Sequence, residues 1–235
     1  MNEALGEFLG TMILIVLGGG VVAACLLEKS KAQNAGWLVI ATGWALAVMC
    51  GVYVAKAAGA PGYINPVGPV VGLINQKLAF DKAALFIAAE LAGAFVGAVV
   101  VWLHYLPHWA ITPDPGTKLA VFATGPAIRD LRSNVRSEII ATFVLVFVGT
   151  ALDKAAPAAF GAPLGGALVW SIGLSLGATT GYALNPARDL GPRLAHAILP
   201  IVGKGGSDWG YAWVPIVGPL LGGALGALVA KAVIV

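Results

Sequence analysis

Six stretches of this chain are long and apolar enough to cross a bilayer, and they decide what it can fold into, since a span needs about 20 apolar residues. They cover 5–27, 37–55, 83–106, 135–152, 163–183 and 209–230. Hydrocarbon offers no partner for a bare backbone amide, so each must be a helix that satisfies its own hydrogen bonds. Composition agrees: of 235 residues, 59% are hydrophobic and 11% charged, and mean hydropathy is +0.88. A soluble chain of this length would need far more charge to cover its surface. The 32 glycines suit helices that approach closely in lipid. Cys25 and Cys50 fall inside the stretches and read as packing residues. Met1-Asn2-Glu3 carries no basic leader, so the first stretch reads as a retained span.

Two further apolar segments, 66–78 and 186–199, are too short to cross. Each opens on Asn-Pro, with Asn as the cap and Pro at the first helical position, so each reads as a half-helix. The longest polar connection, 107–134, divides the chain into two halves of three spans, one over about 4–106 and the other over about 135–232. The halves echo one another, since Gly62-Tyr63-Ile64-Asn65-Pro66 resembles Gly181-Tyr182-Ala183-Leu184-Asn185-Pro186, and Glu7 is matched by Glu138. An odd number of spans per half forces the second to enter from the opposite side. The expected fold is therefore an all-α membrane protein, with six transmembrane helices and two re-entrant half-helices in an inverted 3+3 repeat, forming a single channel domain over 1–235.

Non-helical backbone at membrane depth survives only where protein buries it or a watery cavity solvates it, so two such breaks meeting at the midplane imply a pore. Both half-helices direct their partially positive N-termini at the meeting point, which repels cations and protons. Asn65 and Asn185 cap those ends and aim amide donors at a passing oxygen.

At this point the residues show a family resemblance. Asn65-Pro66-Val67 and Asn185-Pro186-Ala187 look like the paired Asn-Pro-Ala boxes of the aquaporin, or major intrinsic protein, superfamily. The continuation Arg188-Asp189-Leu190-Gly191-Pro192-Arg193 resembles its glycerol facilitator branch, and Phe122-Ala123-Thr124-Gly125-Pro126 is similar to another family segment. The likeness runs from about Glu7 to about Leu228. It implies a channel for glycerol and water without a cofactor, assembled as a homotetramer in the lipid bilayer of the cell membrane. It also implies a constriction of Trp44, Gly173, Tyr182 and Arg188. There Arg188 donates to hydroxyl oxygens, Trp44 and Tyr182 supply an apolar corner, and Gly173 leaves room in the pore. Glu7 and Glu138 are implied to support the two re-entrant loops. Two departures stand out: Val67 where Ala is usual, expected to narrow or tilt the midplane, and Tyr63, expected to alter the cytoplasmic vestibule.

Other polar residues have simpler readings. Asp189 either favours the positive start of its half-helix or holds the Arg188 loop. Glu90 is expected to pack inside with a polar partner. His104 and His108 have helical i, i+4 spacing but no accompanying carboxylate or Cys, so they read as interfacial rather than as metal ligands. His196 reads as a packing residue, and Trp102, Trp109, Trp209 and Trp213 as an aromatic belt. A net charge of +3 with scattered basic residues excludes a nucleic-acid surface, and no nucleophile–base or metal motif suggests an enzyme.

A coupled transporter shares broken helices and inverted repeats, but intramembrane acids beyond Glu7, Glu90 and Glu138 are lacking. Among channel solutes, dihydroxyacetone, urea, hydrogen peroxide and protonated lactic acid rank behind glycerol. The resemblance puts both termini in the cytoplasm, yet the positive-inside rule reads the other way. Lys56, Lys77, Lys82, Lys154 and Lys231 would face Lys29, Lys31, Lys118, Arg129, Arg132, Arg136, Arg188, Arg193 and Lys204 on the opposite side.

Overall fold

The computed structural model describes residues 3–234, and the reading of Met1 and Asn2 lies outside them. The elements in chain order are α1 (Glu3–Leu26), α2 (Trp37–Ala57), α3 (Val67–Ile74), α4 (Phe80–His104), α5 (Leu106–Ile111) and α6 (Pro115–Phe122). They continue with α7 (Leu131–Ala155), α8 (Gly161–Ser175), α9 (Pro186–Ile198) and α10 (Val214–Val233). Six helical segments are long and apolar enough to cross a membrane, and they coincide with the six expected spans. The half-helices α3 and α9 each follow the second span of their repeat, as the inverted arrangement requires.

Three boundaries differ from expectation for local reasons. The fifth span ends at Ser175 rather than near 183, because a 3-10 turn at Gly177–Thr179 and irregular backbone with positive φ at Gly181, Tyr182 and Leu184 lead into the second box. The first half-helix stops at Ile74, where Asn75 caps it, well short of 78. The connection expected to be irregular holds α5 and α6. Asp114 starts α6 by accepting the Thr117 N–H at 2.6 Å, with Pro115 in the first turn. A break at Tyr105 also separates His104 from His108, so the pair does not share a helix.

Packing repeats with the sequence. A Cβ on Gly93 or Gly97 of α4 would come within 2.2 and 2.6 Å of the Phe8 and Met12 carbonyl oxygens of α1. On Gly222 and Gly226 of α10 it would meet the Ile139 and Phe143 carbonyls of α7 at 2.3 and 2.9 Å. Phe8 follows Glu7 as Ile139 follows Glu138, so the same backbone-to-backbone seat is built twice. Van der Waals contact at such seats holds helices together where lipid leaves no hydrophobic driving force between them. Large apolar side chains such as Leu38, Leu103, Ile140 and Leu228 remain exposed around the outside, which hydrocarbon tolerates.

Candidate functional site

Two buried carboxylates hold the two boxes. Glu7 accepts the N–H groups of Gly62 at 2.7 Å, Tyr63 at 3.0 Å and Ile64 at 2.7 Å. Glu138 accepts the Thr180 hydroxyl at 2.7 Å and the N–H groups of Ala183 at 2.9 Å and Leu184 at 3.1 Å. Those bonds stabilise uncommon backbone: Ile64 and Leu184, each just before the box asparagine, have φ of +45° and +56°. A left-handed residue other than glycine costs of order 1–3 kcal/mol. Hydrogen bonds to a carboxylate contribute about 1.5–3 kcal/mol each, so three of them outweigh the strain.

The strained carbonyls receive the opposite box. Asn65 donates through Nδ2 to the Leu184 carbonyl at 3.0 Å, and Asn185 to the Ile64 carbonyl at 2.7 Å. Each asparagine oxygen meanwhile caps its own half-helix: Asn65 accepts the Val67 N–H at 3.0 Å, and Asn185 accepts Ala187 and Arg188 at 2.9 and 3.1 Å. Pro186 is the first residue of α9 as expected, whereas Pro66 precedes the first residue of α3.

A continuous cavity of about 830 Å³ runs past these boxes. Its wall includes Trp44, Tyr182 and Arg188 toward one mouth, Asn65, Val67 and Asn185 in the middle, and Tyr63, Lys77, Lys154 and Lys231 toward the mouth on the side of the described chain ends. The Arg188 guanidinium lies 4.1 Å from the centre of the Trp44 ring and donates no hydrogen bond to the protein, so its donors remain free for the cavity. Its cationic plane stacked on an aromatic face is fixed in direction without being neutralised.

Gly173 behaves differently from its expected role. It does not line the cavity, and a Cβ there would come within 2.9 Å of the Tyr182 ring. The room that glycine leaves is taken by Tyr182, not by the pore. Val67 lines the cavity, and its Cγ1 lies 2.4 Å from where a Gly223 Cβ would be, so α10 seats one side of the added bulk. Tyr63 does line the cavity, with its ring over Gly68 of α3 and 6.1 Å from the ring of Phe86.

Behind Arg188, Asp189 and Arg193 form a buried ion pair at 2.7 Å. Asp189 accepts both the N–H and the hydroxyl of Thr124, each at 2.7 Å. Arg193 reaches the carbonyls of Thr124, Ser207 and Asp208. Of the two readings of Asp189, the one that ties down the loops around Arg188 matches these bonds. Lys204 caps the other end of α9, donating at 2.7 Å to the carbonyls of His196, Ala197 and Leu199. Sequence reasoning missed Arg193, Thr124 and Lys204 as a framework. An i, i+4 acid–base pair in an apolar segment and a lysine just after a half-helix were the available signals.

The structure places four further residues. Glu90 is fully buried; neither oxygen makes a hydrogen bond of ordinary geometry, and the polar group that faces it is the backbone N–H of Asn65 in the first box. His108 is not merely interfacial: its Nδ1 pairs with the Glu28 carbonyl at 2.8 Å. Trp109 is no belt residue; it is buried against Phe122 and donates to the Trp102 carbonyl at 2.9 Å. His196 packs edge-on to Phe122 as expected and also pairs through Nδ1 with the Ser207 hydroxyl at 2.9 Å. Among the described residues no group of His, Cys, Asp and Glu could hold a metal ion.

Comparison with known proteins agrees with this architecture. The profile of the family described as Major intrinsic protein matches residues 1–230. Glycerol uptake facilitator protein 3 of Lactiplantibacillus plantarum is 55% identical over 227 residues, covering 96% of this chain and 94% of that protein. The probable glycerol uptake facilitator protein of Thermotoga maritima is 55% identical over 230 residues, covering 97% of each. The X-ray structure of the aquaglyceroporin from Plasmodium falciparum superposes with a TM-score of 0.83 at 28% identity, covering 99% of this chain and 96% of the other. With paired boxes, paired carboxylate supports and matches along its whole length, this chain belongs to the major intrinsic protein family, in its glycerol facilitator branch.

Proposed function

We propose that this protein is a passive channel for glycerol and water in the cell membrane, one pore per subunit of a homotetramer, with both termini cytoplasmic. The observation that carries the reading is the cavity wall made by Arg188, Trp44 and Tyr182. One side offers unpaired guanidinium donors for hydroxyl groups, and the other offers aromatic surface for a carbon backbone. A polyol has those two sides, whereas an ion finds no replacement for its hydration shell. The relatives named glycerol uptake facilitator support the same solute. Trp44, Tyr182 and Arg188 act as the selectivity filter, with Gly173 setting it from behind. The boxes Asn65, Pro66, Val67 and Asn185, Pro186, Ala187 guard the midplane.

Coupled transport is disfavoured by the chemistry of Glu7 and Glu138, whose oxygens are fixed acceptors for backbone amides and not free proton carriers. No chemistry on the solute is proposed. The charge count that opposes a cytoplasmic terminus loses its force on inspection. Lys118, Arg129, Arg193 and Lys204 are bonded to protein oxygens and Arg188 sits in the cavity. Arg136 is likewise bonded, as are Lys82 and Lys154 on the terminal side, which leaves Lys29, Lys31 and Arg132 facing Lys56, Lys77 and Lys231.

Stopped-flow light scattering of proteoliposomes tests the proposal. Glycerol should enter far faster than into empty vesicles, without proton current. Gly173→Phe, whose ring must take the place of Tyr182, should lose glycerol entry more than water flow. Fast water flow with glycerol entry no better than empty vesicles overturns the polyol reading.

A further inference from the structure

Tyr182 faces the cavity, yet little holds it there. Its hydroxyl is buried and has no hydrogen-bond partner, and its backbone sits at a φ of +36°. The ring is therefore placed by what packs behind it. Three residues do so. A Cβ on Gly173 would lie 2.9 Å from the ring, and one on Gly177 would lie 2.4 Å from its Cδ1. The third is Trp37, the first residue of α2, whose ring meets that of Tyr182 edge-on at 5.7 Å between centroids.

Trp37 is itself fixed. Its Nε1–H donates to the Gly173 carbonyl at 3.0 Å, which bonds the start of α2 to α8 across the space behind Tyr182. The position that a Gly177 Cβ would occupy is also 3.0 Å from the Trp37 ring. Trp37, Gly177 and Tyr182 thus share one close-packed volume, with the cavity on the other side of the tyrosine.

We propose that Trp37 is a positioning residue that sets the aperture beside Arg188 by clamping Tyr182 from behind, with Gly177 as the seat of the clamp. The inference rests on the polyol-channel reading above and adds a size rule to it. Removing bulk behind the ring lets it retreat and widens the opening. Adding bulk drives it into the cavity and narrows the opening. Changes at two residues outside the cavity wall therefore act on solute size in opposite directions.

The test compares entry of glycerol, a five-carbon polyol and water in proteoliposomes of wild type, Trp37→Ala, Trp37→Phe and Gly177→Ala. Trp37→Ala should raise the five-carbon to glycerol entry ratio by about tenfold, the scale on which apolar pockets discriminate a carbon unit. Gly177→Ala should lower glycerol entry by a similar factor while water flow falls less. Trp37→Phe keeps a ring against Tyr182 but loses the bond to Gly173, so its ratio should rise by a smaller factor. An unchanged ratio in Trp37→Ala with normal water flow overturns the proposal. If Trp37→Ala fails to assemble, an unchanged ratio in Trp37→Phe does so. Failure of the wild type to admit glycerol is a different result, and it removes the polyol reading itself.

Discussion

The contact between Val67 and Gly223 offers a sharp test of how this chain accommodates its unusual first box. Gly223→Ala adds a Cβ 2.4 Å from the Val67 Cγ1, well inside the 3.5–4.0 Å of ordinary carbon contact. Both residues are in helices, α10 and α3, whose backbones cannot part without disturbing the Glu138 seat against Gly218 and the first box. Overpacking of this kind costs about 1–3 kcal/mol. Val67→Ala alone removes buried methyl groups and costs about 1–2 kcal/mol. Together the two changes remove both Val67 Cγ atoms and place one Cβ in the volume that Cγ1 vacates. The double variant should thus be more stable than the sum of the singles predicts, by a coupling of about 1–2 kcal/mol. Unfolding of purified protein in mixed micelles measures the four-member cycle, and glycerol entry reports the first box in parallel. Additivity within about 0.5 kcal/mol refutes the claim that Gly223 seats Val67.

Other predictions concern the framework. Arg193→Met leaves Asp189 buried without its cation and should cost about 3–5 kcal/mol, seen as a lower unfolding midpoint and lost flux; near-wild-type stability contradicts the hub described here. Glu90→Leu removes a buried carboxyl with no hydrogen bond of ordinary geometry and should stabilise by about 1–3 kcal/mol without changing glycerol entry. Lost entry with intact fold would instead assign Glu90 a transport role. On the loop between α9 and α10, Asp208 is held below the usual carboxylate range chiefly by its hydrogen bonds to Arg129. A depressed folded value stabilises at pH above the unfolded one, about 3.9, and the effect is lost as pH falls through the folded value. Hydrogen-exchange protection of 199–213, corrected for intrinsic rates, should be flat from neutral pH to about 5 and decline only below the unfolded value. A midpoint near neutrality contradicts that pairing.

Much of this architecture was legible in the residues because lipid leaves few alternatives. Span length, the two Asn-Pro starts and the match of Glu7 with Glu138 follow from hydrogen bonds that must be satisfied where no water is present. Distances between helices were not legible. Gly173 looked like open pore because a glycine in a span says only that something comes close, and only the fold shows that Tyr182 does. Nothing in the sequence singled out Trp37, since its bond to the Gly173 carbonyl joins residues 136 apart. Val67 looked like an intrusion because the glycine that receives it lies in the other repeat. Glu90 was given a partner on the rule that buried charge is paired, and the group that faces it is a backbone N–H of the first box.

The crossed asparagine bonds also govern the order in which the protein can be built. They join residues 119 and 121 positions apart, so neither box is complete until the second half-helix has entered the membrane. A chain synthesised from its N-terminus must hold α3 with Asn65 unmatched while the whole second repeat is still to come, and such long-range closure is slow. During that interval there is a half-helix but no continuous passage, since the cavity wall needs Tyr182 and Arg188 from the late segment. The cavity wall is therefore complete only once the second repeat is in place.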